Sequence, residues 1–323
     1  MAKPKIAIIS PALANANNGN WQTAWRWARH LRERYAVSLR SSLEPAAGAP
    51  PDAAIALHAR RSAAAVAALA AQRPSLPIAV VLTGTDLYRD IRSDADAQRS
   101  LELASCLIVL QEAGLDELAP AWRRKATVIH QSAPALKPPA RSGRRRHFDV
   151  VMIGHLRAEK DPATFMRAAA LARGAQLRFT HVGGALDEEL GRQAAAAERT
   201  NPRYRWLGDQ PHGKTRQLLK RADAMVICSR MEGGANVIIE AVTSGVPVLA
   251  SDISGNRGML GADYAGYFPV GDAAALAGLI ERVANDDGLH AELRRLCAAR
   301  MPLFSPEREK AAVLQLADNL LHS

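Results

Sequence analysis

The chain has 323 residues, 48% of them hydrophobic and 23% charged, which is typical of a globular protein long enough for two domains. The net charge of +10 lies in its first half and at one junction: residues 1–140 carry 17 Lys and Arg against 11 Asp and Glu, residues 141–146 add four arginines, and 147–323 are neutral. Aromatic residues, at 5%, do not interleave with the basic ones, which disfavours nucleic-acid binding and leaves a solvated arginine-rich surface or an anionic ligand.

The first half alternates apolar strand patterns with helical patterns, which predicts a parallel sheet with right-handed crossovers. The predicted strands are 4–10, 37–43, 52–59, 77–84, 106–111 and 125–131, and the predicted helices are 20–35, 62–72, 94–104 and 112–120. In the first helix, the spacing puts one apolar set on a single face, the predicted core face. That set is Trp21, Ala24, Trp25, Ala28 and Leu31.

A basic stretch rich in proline then interrupts the alternation, and a second strand and helix series follows. Its predicted strands are 148–156, 177–184, 204–208, 224–229 and 247–252, with helices at 161–173, 186–198, 213–221 and 236–244. We therefore expect a Rossmann-like domain over 1–138, a linker over 139–147 and a second such domain over 148–304. The last helix, about 305–323, is a candidate to pack back on the first domain.

Open parallel sheets bind ligands at the carboxyl ends of their strands, so the residues after each strand of the second half form its candidate site. The helix after strand 224–229 begins with free backbone N–H groups. Together with two basic side chains, these groups can bind a diphosphate. Ionised carboxylates accept hydrogen bonds from hydroxyl-rich rings. The candidates are Arg157, Lys160, Gly183, Gly208, Glu232, Gly233, Gly234, Ala235, Asn236, Val237 and Glu240. A diphosphate joining two hydroxylated rings is a nucleotide sugar.

The strand ends of the first half are the candidate acceptor side, with His58, Arg60 and Arg61 after one strand and Thr83 and Asp86 after another. Two arginines make forked contacts to an oxyanion. The alternative is an exposed helix start, although basic residues there oppose the helix dipole. For Asp86 we expect a contact with a sugar hydroxyl or a water molecule.

The cysteines Cys106, Cys228 and Cys297 are scattered and no cysteine and histidine cluster is present, so we expect a reducing, cytoplasmic environment and no metal. The pair Asp94 and Asp96 has the spacing of a metal-binding motif. No apolar strand leads into it, however, and it is more typical of an acidic helix start.

The second half resembles the donor-binding domain of the GT4-like glycosyltransferases of the GT-B fold. Its two glutamates, Glu232 and Glu240, match the E-x7-E motif of that family, and GHLRAEKD and THVGG are similar to its glycine-containing motifs. The resemblance implies two Rossmann-like domains facing a central cleft, a UDP-sugar donor and no metal cofactor. It also places Gly19 and Asn20 in the loop that covers the diphosphate. One departure is His155, which stands where the family has an arginine.

The segments ALHARRS, LTGTDLYRD and GHLRAEKDP resemble the selenosugar synthases of selenoneine biosynthesis. That resemblance implies a UDP-N-acetylglucosamine or UDP-glucose donor and selenophosphate as the small anionic acceptor. We expect no nucleic acid as a partner, and no integral membrane, because no apolar run approaches the length of a membrane span. Three alternatives stay open: a conventional GT4-like transferase to a sugar or lipid hydroxyl, a nucleotide-sugar binder without turnover, and a partner-binding protein that uses the basic stretch RSGRRR.

Overall fold

The chain forms two compact units. A computed structural model describes residues 3–11, 19–41, 50–137 and 146–322. The first unit comprises Met1–Ser132, Glu232–Ala235 and Ser305–Ser323, and the second comprises Ala133–Met231 and Asn236–Phe304. Most of the predicted linker 139–147 lies outside the described residues, and the predicted domain boundaries stay a prediction.

The first unit is built on a six-stranded parallel sheet in the order β2-β1-β3-β4-β5-β6. Its strands are β1 (Lys5–Ser10), β2 (Ala36–Ser41), β3 (Ala53–Leu57), β4 (Ile78–Val81), β5 (Cys106–Val109) and β6 (Ala126–Val128). The chain first moves outward from β1 to β2 and then returns to the other side of β1 at β3. Strand order therefore reverses between β1 and β3, which is where open sheets of this kind bind ligands.

The helices of the first unit cover both faces of that sheet. They are α1 (Gly19–Leu31), α2 (Ala63–Gln72), α3 (Ile91–Ser93), α4 (Ala95–Leu103), α5 (Pro120–Arg123) and α13 (Pro306–Leu321). The single helix predicted over 112–120 is wrong: a 3-10 turn over Glu112–Leu115 is followed by the separate helix α5. Pro120 starts α5, because proline suits the first helical position and disfavours helix in the residue before it.

The predicted core face of α1 is also wrong at one tryptophan. Trp25 is 41% exposed, whereas Trp27 is fully buried. Trp27 packs among strand residues of the sheet and residues of α13, and its Nε1 donates to Glu309 Oε1 at 2.8 Å. Glu309 is itself buried and also accepts from the backbone N–H of Ser132. The last helix of the chain thus completes the core of the first unit.

The second unit has a six-stranded parallel sheet in the order β12-β11-β10-β7-β8-β9. Its strands are β7 (Phe148–Ile153), β8 (Leu177–Val182), β9 (Tyr204–Trp206), β10 (Ala224–Ile227), β11 (Val248–Ser251) and β12 (Tyr267–Phe268). Its strand order reverses between β7 and β10, the mononucleotide-binding arrangement of a doubly wound fold. The predicted fold class, two doubly wound parallel sheets with helices, is confirmed.

Seven helices accompany this second sheet in the described residues. They are α6 (Pro162–Leu171), α7 (Glu188–Thr200), α8 (His212–Leu219), α9 (Asn236–Val242), α10 (Ser254–Leu260), α11 (Ala273–Asn285) and α12 (Asp287–Arg300). None of the described helices is long and apolar enough to cross a membrane.

Candidate active site

The carboxyl ends of three neighbouring strands of the second unit are tied together by backbone hydrogen bonds. Gly183 donates to the carbonyl of Gly208 at 2.8 Å, and Leu156 donates to Gly184 at 2.9 Å. Gly183 has φ 151°, and a Cβ there would stand 2.0 Å from the carbonyl oxygen of Gly154. Only glycine fits this approach, so the sequence motif at Gly183 holds the loops after β7 and β8 at a fixed spacing.

Two histidines support these loops from within the second unit. His155 accepts at Nδ1 from the N–H of Gly184 at 3.2 Å, so the histidine that replaces the family arginine joins the loops after β7 and β8. His181 is fully buried, with Nε2 3.2 Å from the carbonyl of Gly154 and Nδ1 3.0 Å from the hydroxyl of Tyr204. Burial lowers the pKa of His181 to about 4, so the ring is neutral at physiological pH and donates to Gly154.

The predicted basic residues of the donor side follow β7 directly. Arg157 is exposed and precedes a 3-10 turn that ends at Lys160. The aliphatic part of the Lys160 side chain lies against Gly154, where a Cβ would stand 3.7 Å from it. The loop after β10 meets this turn, because Arg230 donates its N–H to the carbonyl of Glu159 at 2.9 Å. Arg157 and Lys160 therefore stand at the point where the strand order of the second sheet reverses.

Glu240, the second glutamate of the motif, lies on α9 beside the first residue of α8. His212 Nε2 is 2.6 Å from Glu240 Oε1. Arg216, one helical turn further along α8, donates to Ser244 Oγ at 3.2 Å and to the carbonyl of Pro134 at 2.9 Å. Burial lowers the pKa of the Arg216 guanidinium, and the negative charge of Glu240 opposes that shift. The sequence interpretation missed His212 and Arg216, which only their spacing of four residues on α8 could have indicated.

The first glutamate and the glycines after it pack within the first unit, whereas Asn236 and Val237 begin α9 in the second. A Cβ on Gly233 would stand 2.4 Å from the carbonyl carbon of Thr83, and one on Gly234 would stand 2.6 Å from Cβ of Leu110. Neither position has room for a side chain, because backbone lies against Gly233 and the Leu110 side chain lies against Gly234. Glu232 and Ala235 are buried in the same unit.

In the first unit, the loop after β3 is held in a strained and buried conformation. His58 has φ 70°, a left-handed backbone that residues with a side chain seldom adopt. Its ring is buried, with Nε2 3.0 Å from Thr85 Oγ1, and its Nδ1 accepts from the N–H of Arg61 at 3.4 Å. Burial lowers the pKa of His58, the charge of Asp86 opposes this, and Arg61 adds to the lowering. His58 is thus a neutral imidazole that shapes the loop.

Asp86 joins this loop to the one after β4. Its carboxylate is fully buried and accepts from the N–H of Ala59 at 2.9 Å, and from the N–H and Oγ1 of Thr83, both at 2.8 Å. Both oxygens are therefore engaged by the protein itself. In this conformation Asp86 braces the two loops, and the contact with a sugar hydroxyl or water expected from the sequence stays a prediction.

The two arginines of the same loop differ in their surroundings. Both are exposed, but Arg60 lies within 3.8 Å of Asp90 and 3.7 Å of Asp94. Among the described residues, Arg61 has no carboxylate within ion-pair distance of its guanidinium. The loop after β3 follows the strand at which the order of the first sheet reverses, so Arg61 follows a strand end of the kind at which open sheets bind ligands.

The remaining predicted positions are at a helix start. Gly19 and Asn20 begin α1, and the carbonyl of Gly19 accepts from Thr23 Oγ1 at 2.8 Å. Asp94 caps α4 by accepting from the N–H of Ala97 at 2.9 Å, which agrees with the interpretation of Asp94 as part of an acidic helix start. Within the described residues, no three His, Cys, Asp or Glu side chains are grouped to hold a metal ion.

Comparison with known proteins finds a family match in the second half of the chain. Residues 140–300 match the family described as glycosyl transferases group 1. The D-inositol 3-phosphate glycosyltransferase of Nocardia farcinica is 36% identical over 115 residues, which cover 33% of this chain and 26% of that protein. The glycogen synthase of Mycobacterium tuberculosis is 31% identical over 189 residues, 55% of this chain and 44% of that protein. The matches thus span less than half the length of either relative.

Among solved structures, Anabaena HepE in complex with UDP and glucose has a similar fold over the whole chain. The TM-score is 0.80 at 18% identity, and the alignment covers 98% of this chain and 100% of HepE. At that identity the likeness establishes the GT-B fold.

Proposed function

We propose, on the premise that residues 140–300 belong to the glycosyl transferases group 1 family, that this protein transfers a sugar from a UDP-sugar. The observation that carries the proposal is the arrangement of loops and basic side chains in the second unit. There the loops after β7, β8 and β9 are joined at one sheet edge, with Arg157 and Lys160 on the turn after β7. HepE, which shares the fold, was solved with UDP-glucose, and that supports the choice of donor.

The diphosphate and the ribose of the donor have proposed partners in this unit. The amides that begin α9 at Asn236 and Val237, with Arg157 and Lys160, stabilise the diphosphate and the charge that develops on the departing UDP. Glu240 accepts from the ribose hydroxyls, because it lies beside α8 and so next to the loop after β9. Glu232 accepts from the sugar. No metal is needed, since amides and cations supply the positive charge.

For the acceptor we propose selenophosphate, a small anion, held by Arg61 at the reversal point of the first sheet. Its selenium attacks the anomeric carbon, so that a C–Se bond forms while the bond from that carbon to the UDP oxygen breaks. Water then cleaves the Se–P bond and releases phosphate. An ionised selenium needs no strong general base. This agrees with a site in which Thr83 and the neutral His58 are engaged in loop contacts.

The test is incubation of the protein with UDP-N-acetylglucosamine or UDP-glucose, with and without selenophosphate. We expect UDP release to depend on selenophosphate and a selenium-containing sugar to be detected by mass spectrometry. UDP release no higher than in the acceptor-free control would exclude selenophosphate as the acceptor.

The alternative is a conventional transfer to the hydroxyl of a sugar or lipid. Variants of Arg60 and Arg61 distinguish the two acceptor hypotheses. A selenophosphate enzyme loses activity in Arg61→Ala more than in Arg60→Ala, because Arg60 already faces Asp90 and Asp94. An enzyme that uses a hydroxyl acceptor shows little effect of either change.

A further inference from the structure

We infer that His212 is a positioning residue for Glu240 and thereby sets the affinity for the ribose of the donor. The inference rests on the proposed function, because it takes Glu240 to be a donor-binding carboxylate. The observation behind it is the 2.6 Å contact between His212 Nε2 and Glu240 Oε1.

The chemistry of the pair fixes the direction of the hydrogen bond. An ionised carboxylate can only accept, so Nε2 of His212 carries the hydrogen and donates it. The side chain of Glu240 is 11% exposed, whereas that of His212 is 52% exposed. A carboxylate has about four acceptor positions, so one donor from His212 fixes its rotation and leaves the other oxygen for ribose hydroxyls.

The helix that carries His212 is itself anchored. Arg216 is buried and ties α8 to Ser244, in the turn after α9, and to the carbonyl of Pro134. His212 and Arg216 are four residues apart on one face of α8, so two contacts join this face to α9 and to the turn that follows α9. His212 therefore donates from an anchored helix, and a positioning residue requires such rigid support.

Arg216 does not replace His212 in this role. Its hydrogen bonds go to Ser244 and Pro134, and it acts on Glu240 through its charge alone. Loss of His212 thus leaves the charge of Arg216 near Glu240 in place but frees the carboxylate to rotate. The donor then has to restrict that rotation when it binds, which weakens binding without changing the chemical step.

The experiment measures UDP binding by titration calorimetry for the wild type, His212→Ala, His212→Gln, Glu240→Ala and the control Lys214→Ala. Lys214 is an exposed residue of the same helix. We expect His212→Ala to weaken UDP binding about tenfold and to raise KM for the donor by a similar factor, with kcat within about twofold. Glutamine places an amide N–H near the position of Nε2, so His212→Gln should recover most of the affinity. Lys214→Ala should bind like the wild type.

A second ligand tests the mechanism itself. The 2′,3′-dideoxy analogue of UDP lacks the hydroxyls that Glu240 is proposed to bind, so wild type and His212→Ala should bind it equally. An equal loss for both ligands, or an equal loss in the alanine and glutamine variants, would overturn the positioning role.

The outcomes also separate this inference from the proposed function. If Glu240→Ala binds UDP like the wild type, the donor-site assignment fails and the inference fails with it. If Glu240→Ala loses affinity while His212→Ala does not, only the inference about His212 fails.

Discussion

At the scale of single residues, the structure separates polar groups that are engaged within the protein from charged groups that are exposed. His58, Thr83 and Asp86 have the residue types of catalytic machinery, yet their polar atoms bond to one another, to the Thr85 hydroxyl or to the backbone around them. A sequence shows that such residues follow strands. It does not show whether a carboxylate after a strand points out of the protein or back into its own loop.

Asp86 gives the first prediction. Its carboxylate accepts from the buried N–H of Ala59 and from the N–H and hydroxyl of the half-buried Thr83, and all three donors would lose this acceptor in Asp86→Ala. We expect that variant to lose about 2–4 kcal/mol of the free energy of unfolding, measured by urea denaturation. Asp86→Asn retains only part of these bonds and should lose less. An Asp86→Ala variant as stable as the wild type would show that the carboxylate does not brace the loops.

His181 gives a prediction about pH. Its folded pKa is about 4, whereas the ordinary value is 6.5, because burial disfavours the charged ring. Between these values the unfolded chain binds a proton that the folded protein does not. The contribution of His181 to the free energy of unfolding is therefore fully present above pH 6.5. It is lost as the pH falls towards 4, and the loss is on the order of 3 kcal/mol in all.

The measurement is the free energy of unfolding from pH 7 to 4.5 for the wild type and His181→Gln. Other groups titrate in both proteins, so the difference between their slopes isolates His181. We expect the steeper decline in the wild type. Parallel curves would contradict the assignment of a neutral, buried ring.

At the scale of elements, the glycines after the strands of the second sheet differ in what they do. Gly183 faces the carbonyl of Gly154, while Gly208 has φ 63° with nothing within 4 Å of a Cβ. Gly213, on α8, has neither a positive φ nor a close neighbour. The sequence predicted Gly183 and Gly208 as equal members of the site, because a motif does not distinguish a steric requirement from a conformational one.

These three positions form a graded series of alanine variants. Gly183→Ala should be severely destabilised, or fail to fold, because its Cβ would overlap backbone. Gly208→Ala should lose about 1 kcal/mol of stability for its left-handed backbone alone, and Gly213→Ala should gain about 0.5–1 kcal/mol in a helix. Thermal unfolding orders the three. A Gly183→Ala variant as stable as Gly208→Ala would contradict the close approach of the loops.

At the scale of the whole molecule, the alternation of strands and helices was enough to predict two doubly wound sheets, because strand and helix periodicities are local. What connects distant parts of the chain was not predictable in this way. Trp25 and Trp27 both fit an amphipathic helix. The choice of Trp27 for the core depends on Glu309, which is 282 residues further along the chain. The contact of His212 with Glu240 likewise depends on the packing of α8 against α9.

The last helix therefore carries a prediction about the assembly of the chain. Val313, Leu316 and Leu320 of α13 are core residues of the first unit, and Glu309 holds Trp27 and Ser132. A chain that ends at Phe304 should leave the first sheet with an exposed apolar face. The core of the second unit, which takes nothing from α13, should persist. We expect about half of the protein to become protease-sensitive and to bind a hydrophobic dye, while a fragment containing residues 148–304 resists digestion. A chain shortened by only His322 and Ser323 is the matched control. Full protease resistance of the longer truncation would show that the first unit folds without its last helix.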